Sequence, residues 1–307
     1  MSGGVDSSVA AALLVDAGHD VVGVSMQLYD QAPGTPSFGT CCTIDDLHDA
    51  RRVAVHLGIP HYVLNLESRF DEVVVANFVS EYAAGRTPIP CAHCNSELKF
   101  ASLVEKAEGF GAAMVATGHY ARVTQDDSQR FHLWRGADDA KDQGYFLFGL
   151  TQSQLSHALF PVGQMRKPEV RALARSRGIP VSDKPDSQEI CFVPDGDYAR
   201  VVEQHLGPGE RAGFIVDQSG AVVGRHEGVH HFTIGQRKGL GVAIGTRAYV
   251  VSIDAERRIV VVGPKSAIER DALTAGTVNW IAGAPPDGPV RVTAQIRHRH
   301  PAADATA

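Results

Sequence analysis

The chain has 307 residues, 44% of them hydrophobic and 21% charged, a globular composition long enough for two or three domains and unlike a disordered chain. No run of about 18 apolar residues offers a membrane span, and no basic segment leading into an apolar one reads as a secretory leader. Five cysteines, an odd number in a long chain, argue against a secreted disulfide scaffold and for a reducing cytosol where thiols bind metal or do chemistry. The formal net charge of −6 hides an asymmetry: residues 1–100 hold 5 basic and 12 acidic side chains, residues 101–224 hold 13 and 16, and residues 225–307 hold 11 and 7. A basic distal module on an acidic body suits local contact with a polyanion, although a solvated face has the same composition.

In chain order, Val5 to Val15 predicts a helix ending near Gly18, and Val21 to Met26 a buried strand. Asp45 to Leu57 predicts a helix stopped at Gly58-Ile59-Pro60, followed by a strand over His61–Leu66 and a helix over Phe70–Tyr82. Cys94 to Glu108 predicts another helix, and Ala113 to Thr117 another strand. This alternation predicts a parallel sheet with crossover helices, an open α/β fold. Residues 150–178 are expected to be helical, capped at Thr151 or Ser153 and stopped at Gly178-Ile179-Pro180. Beyond about residue 205 the texture becomes β-rich, with short runs at Gly213–Val216, Arg247–Ile253, Arg258–Val262 and Val290–Ile296 between turn signals. The expected domains are 1–204 (catalytic α/β), 205–268 (small, mostly β) and 269–307 (part of a β-barrel).

The strongest local signal is Ser2-Gly3-Gly4-Val5-Asp6-Ser7-Ser8 opening a helix. Two glycines permit a tight turn and close approach of backbone to ligand, the serines supply hydroxyls, and the helix start supplies unpaired N–H groups and positive dipole. No Gly-Lys-[Ser/Thr] follows and no third glycine has dinucleotide spacing, so neither the P-loop nor the Rossmann fingerprint applies. The string resembles the signature of the PP-loop ATP pyrophosphatase superfamily, whose members cleave ATP between the α and β phosphates. Such a loop normally follows a central strand. The motif here begins at Met1, so the start of the protein is expected upstream.

Cys91-Ala92-His93-Cys94 is a single CxxC, open to reading as half a zinc site, a redox pair or a catalytic thiol site. The absence of a second CxxC argues against a zinc ribbon. Cys94 is expected at a helix start, where the dipole favours thiolate. Cys191 lies in a turn-rich loop, Asp186-Ser187-Gln188-Glu189-Ile190-Cys191-Phe192. Adjacent Cys41 and Cys42 are poorly placed for joint ligation and read as structural or incidental.

Six segments together resemble the bacterial tRNA 2-thiouridylase (tRNA-uridine 2-sulfurtransferase) family: Met1–Ser8, Cys94-Asn95 with Leu98-Lys99-Phe100, Ala116–Arg122, Lys141-Asp142-Gln143, Asp186–Phe192 and Thr233–Gly241. The resemblance implies 2-thiolation of the wobble uridine of tRNA, with ATP adenylating O2 of the base and AMP as leaving group. It implies that Cys191 carries a persulfide received from a sulfur-carrier protein, that Cys94 is the nucleophile, and that the two pair in a disulfide once sulfur is released. ATP contacts carry over to Met1, Ser2, Gly3, Gly4, Val5, Asp6, Ser7, Ser8, Met26 and Gly118, with Asp6 a candidate for positioning Mg²⁺. Contacts to tRNA carry over to His119, Lys141, Asp142, Gln143, Arg297 and His298, and the target-base segment to Ile89, Pro90 and Cys91, where the family's common Asn-Pro-Asp is replaced. No resident metal is required for this chemistry. The extra thiol lets Cys91, Cys94 and Cys191 together suit an iron–sulfur cluster with one open iron. The family's C-terminal barrel normally continues past the segment matching Ala294–His300, so about half of it is expected to be missing. Arg237 and Lys238, in an expected hairpin between glycines, suit RNA backbone contact. Two other classes compete: another PP-loop ligase or amidase, which does not need Cys94 and Cys191, and a non-catalytic module that binds nucleotide or RNA.

Overall fold

The computed structural model describes residues 1–29, 43–186, 190–193, 195–242 and 247–307. The readings on Cys41, Cys42, Ser187, Gln188 and Glu189 lie outside the described residues. The elements are α1 (Val5–Asp16), β1 (Gly23–Gln27), α2 (Ile44–Leu57), β2 (His61–Asn65), α3 (Glu67–Phe70), α4 (Ala76–Ala83), α5 (Pro90–His93), α6 (Ala101–Gly109), β3 (Val115–Ala116), β4 (Ala121–Gln125), β5 (Phe131–Arg135), α7 (Gln152–Ser156), β6 (Ala158–Leu159), α8 (Lys167–Ser176), α9 (Tyr198–Leu206), β7 (Gly213–Val216), β8 (Val222–His226), β9 (Tyr249–Asp254), β10 (Ile259–Gly263), β11 (Arg291–Ala294) and β12 (Ala303–Thr306). π-Helical stretches at Asp71–Val75 and Cys94–Phe100 join α3 to α4 and α5 to α6 into two long helices.

In the α/β body the described strands pair in parallel as β1 with β2 and β3 with β6, and in the β-rich module β7 also pairs in parallel with β10. Helices α1, α2 and α8 contribute Val9, Val53, Val170 and Ala174 to one core, which also holds Tyr120 and Ile179. α1 is Ala-rich and buries Val5, Ser8, Val9, Ala10, Ala11 and Ala12, as a helix covered on most sides does. α2 is set by Thr43, whose hydroxyl accepts from the Asp46 N–H while the Asp46 carboxylate accepts from the Thr43 N–H, and it ends on Gly58 at φ 68°. A second core gathers Leu28, Phe70, Phe78, Leu98, Val201 and Val202. The β-rich module is a four-stranded sheet in the order β8-β7-β10-β9, with Ile215, Val250, Val260 and Val262 inward. β11 and β12 form an antiparallel ribbon, so the Ala-rich tail pairs as a strand.

Two sequence expectations are corrected. The helix carrying Cys94 opens four residues earlier, at Pro90, a residue suited to the first helical position because it has no N–H to leave unpaired. Residues 150–178 are not one helix: α7 stops at Ser156, β6 follows, and α8 begins only at Lys167. Pro161 and Gly163 lie in that gap, and the backbone at Gly163 passes so close to Ala121 that an added Cβ would sit 1.7 Å from its carbonyl oxygen. The hairpin β4–β5 and helix α9 were not read from sequence. The hairpin turn is held by Asp126, whose Oδ1 accepts from the Ser128 and Arg130 N–H groups, and α9 is capped by Asp197.

Candidate active site

The loop from Met1 to Gly4 runs between the two parallel pairs. The Met1 amine donates to the Val24 carbonyl of β1, and the Ser25 hydroxyl donates to the Met1 carbonyl at 2.6 Å. Gly3 is buried at φ +70°, and a Cβ there would lie 2.2 Å from the Asp46 carbonyl oxygen. On the other side Gly118, just after β3, abuts the helix start: a Cβ would lie 2.5 Å from Ser7 N and 2.6 Å from Asp6 C. Both glycines are therefore required by close backbone approach. Gly4 is the N-cap of α1 and offers no side-chain cap, which leaves the first-turn N–H groups and the positive end of the dipole for an anion. The Ser2 and Ser7 hydroxyls are 3.2 Å apart at the mouth. Ser8 is fully buried, and its hydroxyl and N–H both donate to the Gly4 carbonyl, so it supports the turn from beneath. Val5 is likewise buried. This cradle fits a polyphosphate.

Behind the cradle lies a charge network in which Lys167 is the centre. Its ammonium is 2.7 Å from Asp6 Oδ1 and 2.7 Å from Asp186 Oδ1, and Lys167 is only 7% exposed. Asp6 also accepts from the Tyr120 hydroxyl at 2.8 Å, and Asp186 from Lys141 at 2.6 Å and Arg171 at 2.8 Å. Burial, then the neighbouring Asp6 carboxylate, pushes the Tyr120 hydroxyl well above its usual range, so it stays a donor. With Asp6 held by Lys167 and Tyr120, the residues do not present an oxygen cage for Mg²⁺. Replacing Lys167 by Met leaves two carboxylates facing each other without their shared cation, and the expected cost is about 2–3 kcal/mol, read as a fall in Tm of roughly 5–8 °C in a thermal scan. Burial raises the Asp186 carboxyl, but the hydrogen bonds from Lys141 and Lys167 outweigh it and bring it to about 2. A carboxyl lowered in the folded state contributes stability above its unfolded value, and that contribution is lost as pH falls from about 4 towards 2. Asp186→Asn should flatten the acid-unfolding curve across that window, measured by circular dichroism against pH.

Cys94 is buried in the second core, and Ile190, Cys191 and Phe192 pack against the same cluster, as does Met26 from β1. Phe192 sets its ring edge-on against both Phe70 (5.5 Å) and Phe78 (5.0 Å), which fixes the loop that carries Cys191. Because its helix opens at Pro90, Cys94 sits beyond the first turn, where the dipole effect has fallen off. Ile89 and Cys91 are exposed and Pro90 is buried. Among the described residues, the set of three or more ligating side chains whose donor atoms lie within 4.8 Å of one another is Glu203, His230 and His231. Cys91, Cys94 and Cys191 do not form such a set, so among the described residues the three thiols are not gathered around a single ion.

The residues read as RNA contacts fall into two groups. Lys141, Asp142 and Gln143 are committed internally. Lys141 pairs with Asp186, Asp142 Oδ1 accepts from Gly136 N (2.9 Å) and Gly144 N (3.1 Å), and Gln143 exchanges hydrogen bonds with the Tyr120 backbone at 2.9 and 3.0 Å. His119 Nδ1 is 2.7 Å from the Thr117 hydroxyl. By contrast, Arg297 and His298 are exposed and lie over the body: Arg297 donates to the Ile234 carbonyl at 2.6 Å, and the His298 ring is 4.5 Å from Phe146 and 5.7 Å from Tyr145. Gln295 accepts from Arg135 at 2.9 Å, and Asn279 donates to the Phe148 and Leu150 carbonyls. Trp134 and Phe148, each 50% exposed, extend this basic and aromatic strip.

Comparison with known proteins bears on this geometry. A family model described as the tRNA methyl transferase HUP domain matches residues 1–195, and one described as the tRNA methyl transferase PRC-barrel domain matches residues 199–264. The tRNA-specific 2-thiouridylase MnmA of Geotalea uraniireducens is 53% identical over 304 residues, covering 98% of this chain and 81% of that protein. The protein of the same name from Solibacter usitatus is 53% identical over 319 residues, covering 99% and 86%. The chain belongs to the tRNA-specific 2-thiouridylase family. A solved NMN synthetase from Francisella tularensis aligns at 20% identity and a TM-score of 0.38 over 68% of this chain and 75% of that one, too distant to bear on the fold. Within the family assignment, the α/β body with its phosphate-cradling loop is the HUP domain, and the β8-β7-β10-β9 sheet falls in the PRC-barrel match. Sequence reading missed Lys167, Tyr120 and Arg171. Lys167 and Arg171 were hidden in a segment read as ordinary helix, and a lone lysine gives no signal until folding sets it between two aspartates. The aromatic strip carried a faint signal, aromatic residues interleaved with Arg135, Arg297 and His298.

Proposed function

We propose that this protein catalyses ATP-dependent 2-thiolation of the wobble uridine of tRNA. The observation that carries the reading is the single cluster in which Cys94 is buried and against which Cys191 and Met26 pack, next to the strand that borders the phosphate cradle. In this scheme the first-turn N–H groups of α1, with Ser2 and Ser7, hold the phosphates of ATP, and Gly118 gives them room. Uridine O2 attacks the α-phosphorus and pyrophosphate leaves. The terminal sulfur of a persulfide on Cys191 then bonds to C2, the C2–O2 bond breaks, and O2 departs with AMP. The Cys94 thiolate attacks the Cys191 sulfur, breaking the persulfide S–S bond, so the sulfane sulfur is reduced as the two thiols are oxidised to a disulfide. A thiol reductant must reopen that disulfide before the next turnover.

Several parts extend beyond the family assignment. A sulfur-carrier protein would deliver the persulfide, and Cys191, half-buried on a loop, is the reachable thiol of the pair. Mg²⁺ would accompany the triphosphate as its counter-ion. Arg297, His298 and the aromatic strip would face the tRNA, with Ile89, Pro90 and Cys91 near the target base; Lys141, Asp142 and Gln143 would act through the loops they hold. The work would be cytosolic; among the described residues no helix is long and apolar enough to cross a membrane. The test is tRNA-dependent pyrophosphate release together with the mass of the modified uridine. Replacement of oxygen by sulfur supports the reading. Addition of a methyl group, or ligase-type activity that survives complete alkylation of the thiols, would overturn it.

A further inference from the structure

Among the described residues outside the nucleotide and thiol region, one cluster is built like a ligand set. Glu203 Oε1, on α9, is 3.2 Å from His230 Nε2 and 3.1 Å from His231 Nε2, and all three donor atoms lie within 4.8 Å of one another. The two histidines sit on a 3₁₀ turn, Val229–His231, and their rings are 4.3 Å apart and tilted by 35°. His230 is 2% exposed, whereas Glu203 and His231 are partly open to solvent. A tetrahedral zinc site with bonds of about 2.0–2.1 Å places neighbouring donors roughly 3.3 Å apart, close to the two separations observed. Two imidazoles and one carboxylate form a donor set that suits zinc, and the open side leaves room for water as a fourth ligand.

We infer that Glu203, His230 and His231 form a zinc site that pins α9 to the β-rich module. The site joins the two halves of the molecule. α9 supplies Val201 and Val202 to the core that holds Cys94, while the histidine turn follows β8 and supplies Val229 to the core of the sheet. Nearby, Tyr198 at the start of α9 donates to the His231 carbonyl at 3.3 Å and stacks on Tyr82 with ring centroids 4.8 Å apart. Metal at this point would fix the β-rich module relative to the thiol core, and a structural role of this kind does not depend on the proposed reaction.

The test is a Zn²⁺ titration of the full chain against a chromophoric chelator, comparing wild type with Glu203→Gln and His231→Ala. Both substitutions are at solvent-open positions, and circular dichroism of the metal-stripped proteins checks their folding. Cysteine thiols also bind zinc, so the readout is the difference in bound equivalents. One equivalent should be lost, or weakened at least about 100-fold, in each variant. Cobalt substitution provides a second readout. The wild-type-minus-variant spectrum should show weak visible d–d bands without the intense near-ultraviolet thiolate transition. Equal zinc binding by wild type and both variants, or a difference spectrum with thiolate bands, would overturn the assignment, as would a wild type that binds no zinc.

Discussion

Cys191→Ser should lower thiouridine formation by at least about 1,000-fold while tRNA-dependent pyrophosphate release continues. A serine hydroxyl cannot hold a sulfane sulfur, and in the proposed scheme the groups that hold ATP lie in the loop from Met1 to Ser8 rather than in the thiol core. Cys94→Ser should block thiolation to the same degree with a different signature. Cys191 can still be loaded, so before tRNA is added the persulfide is released as thiocyanate on treatment with cyanide, and with ATP and tRNA the chain should be trapped in a disulfide between Cys191 and the sulfur on C2. Both variants should keep the wild-type thermal midpoint within a few degrees, since sulfur and oxygen differ little in volume, although burial of an extra hydroxyl at position 94 has a modest cost. Product mass, pyrophosphate release and cyanolysis together check the assignment of the two roles. Interchanged signatures would exchange those roles between the two cysteines.

Gly118→Ala should weaken ATP binding by roughly 30-fold, corresponding to about 2 kcal/mol of overpacking. The added methyl would lie 2.5 Å from Ser7 N and 2.6 Å from Asp6 C, both backbone positions with no rotamer to escape into. Relief requires moving the start of α1 away from β3, which also draws Asp6 off Lys167 and Tyr120. The effect should therefore appear in both the nucleotide dissociation constant and the pyrophosphate-release rate. Gly18→Ala is the matched control. Its Cβ meets nothing within 4 Å, and despite the strain of φ +80° its nucleotide affinity should be unchanged.

The phosphate loop and the α/β character were legible because each rests on local chemistry. Paired glycines, serines and a helix start mark an anion site without tertiary information, and Gly58-Ile59-Pro60 marks a helix stop at the position where α2 ends. Other features depend on what folding brings together. Lys167 lies 161 residues from Asp6 in sequence, and nothing in its own segment distinguishes it from a solvated helix residue. The Cys94 helix opens at Pro90, a residue suited to the first turn, rather than at Cys94, and that shift moves the thiol from a dipole-exposed end into a packed core. A cap at Thr151 and a stop at Gly178-Ile179-Pro180 predict one helix over 150–178, but Pro161 and the tight approach at Gly163 divide it. Lys141, Asp142 and Gln143 show the converse case. The motif was plain in sequence, but the side chains hold loops, a distinction that only hydrogen-bond partners supply.

The most direct measurement is a single turnover of persulfide-loaded enzyme with ATP and unmodified tRNA, quenched with an alkylating agent and mapped by peptide mass without reduction. The account predicts a peptide pair joined through Cys94 and Cys191, formed in proportion to thiouridine and absent when ATP is left out. Thiouridine appearing while both cysteines are recovered as alkylated thiols, or with Cys191 joined to another cysteine, would contradict it.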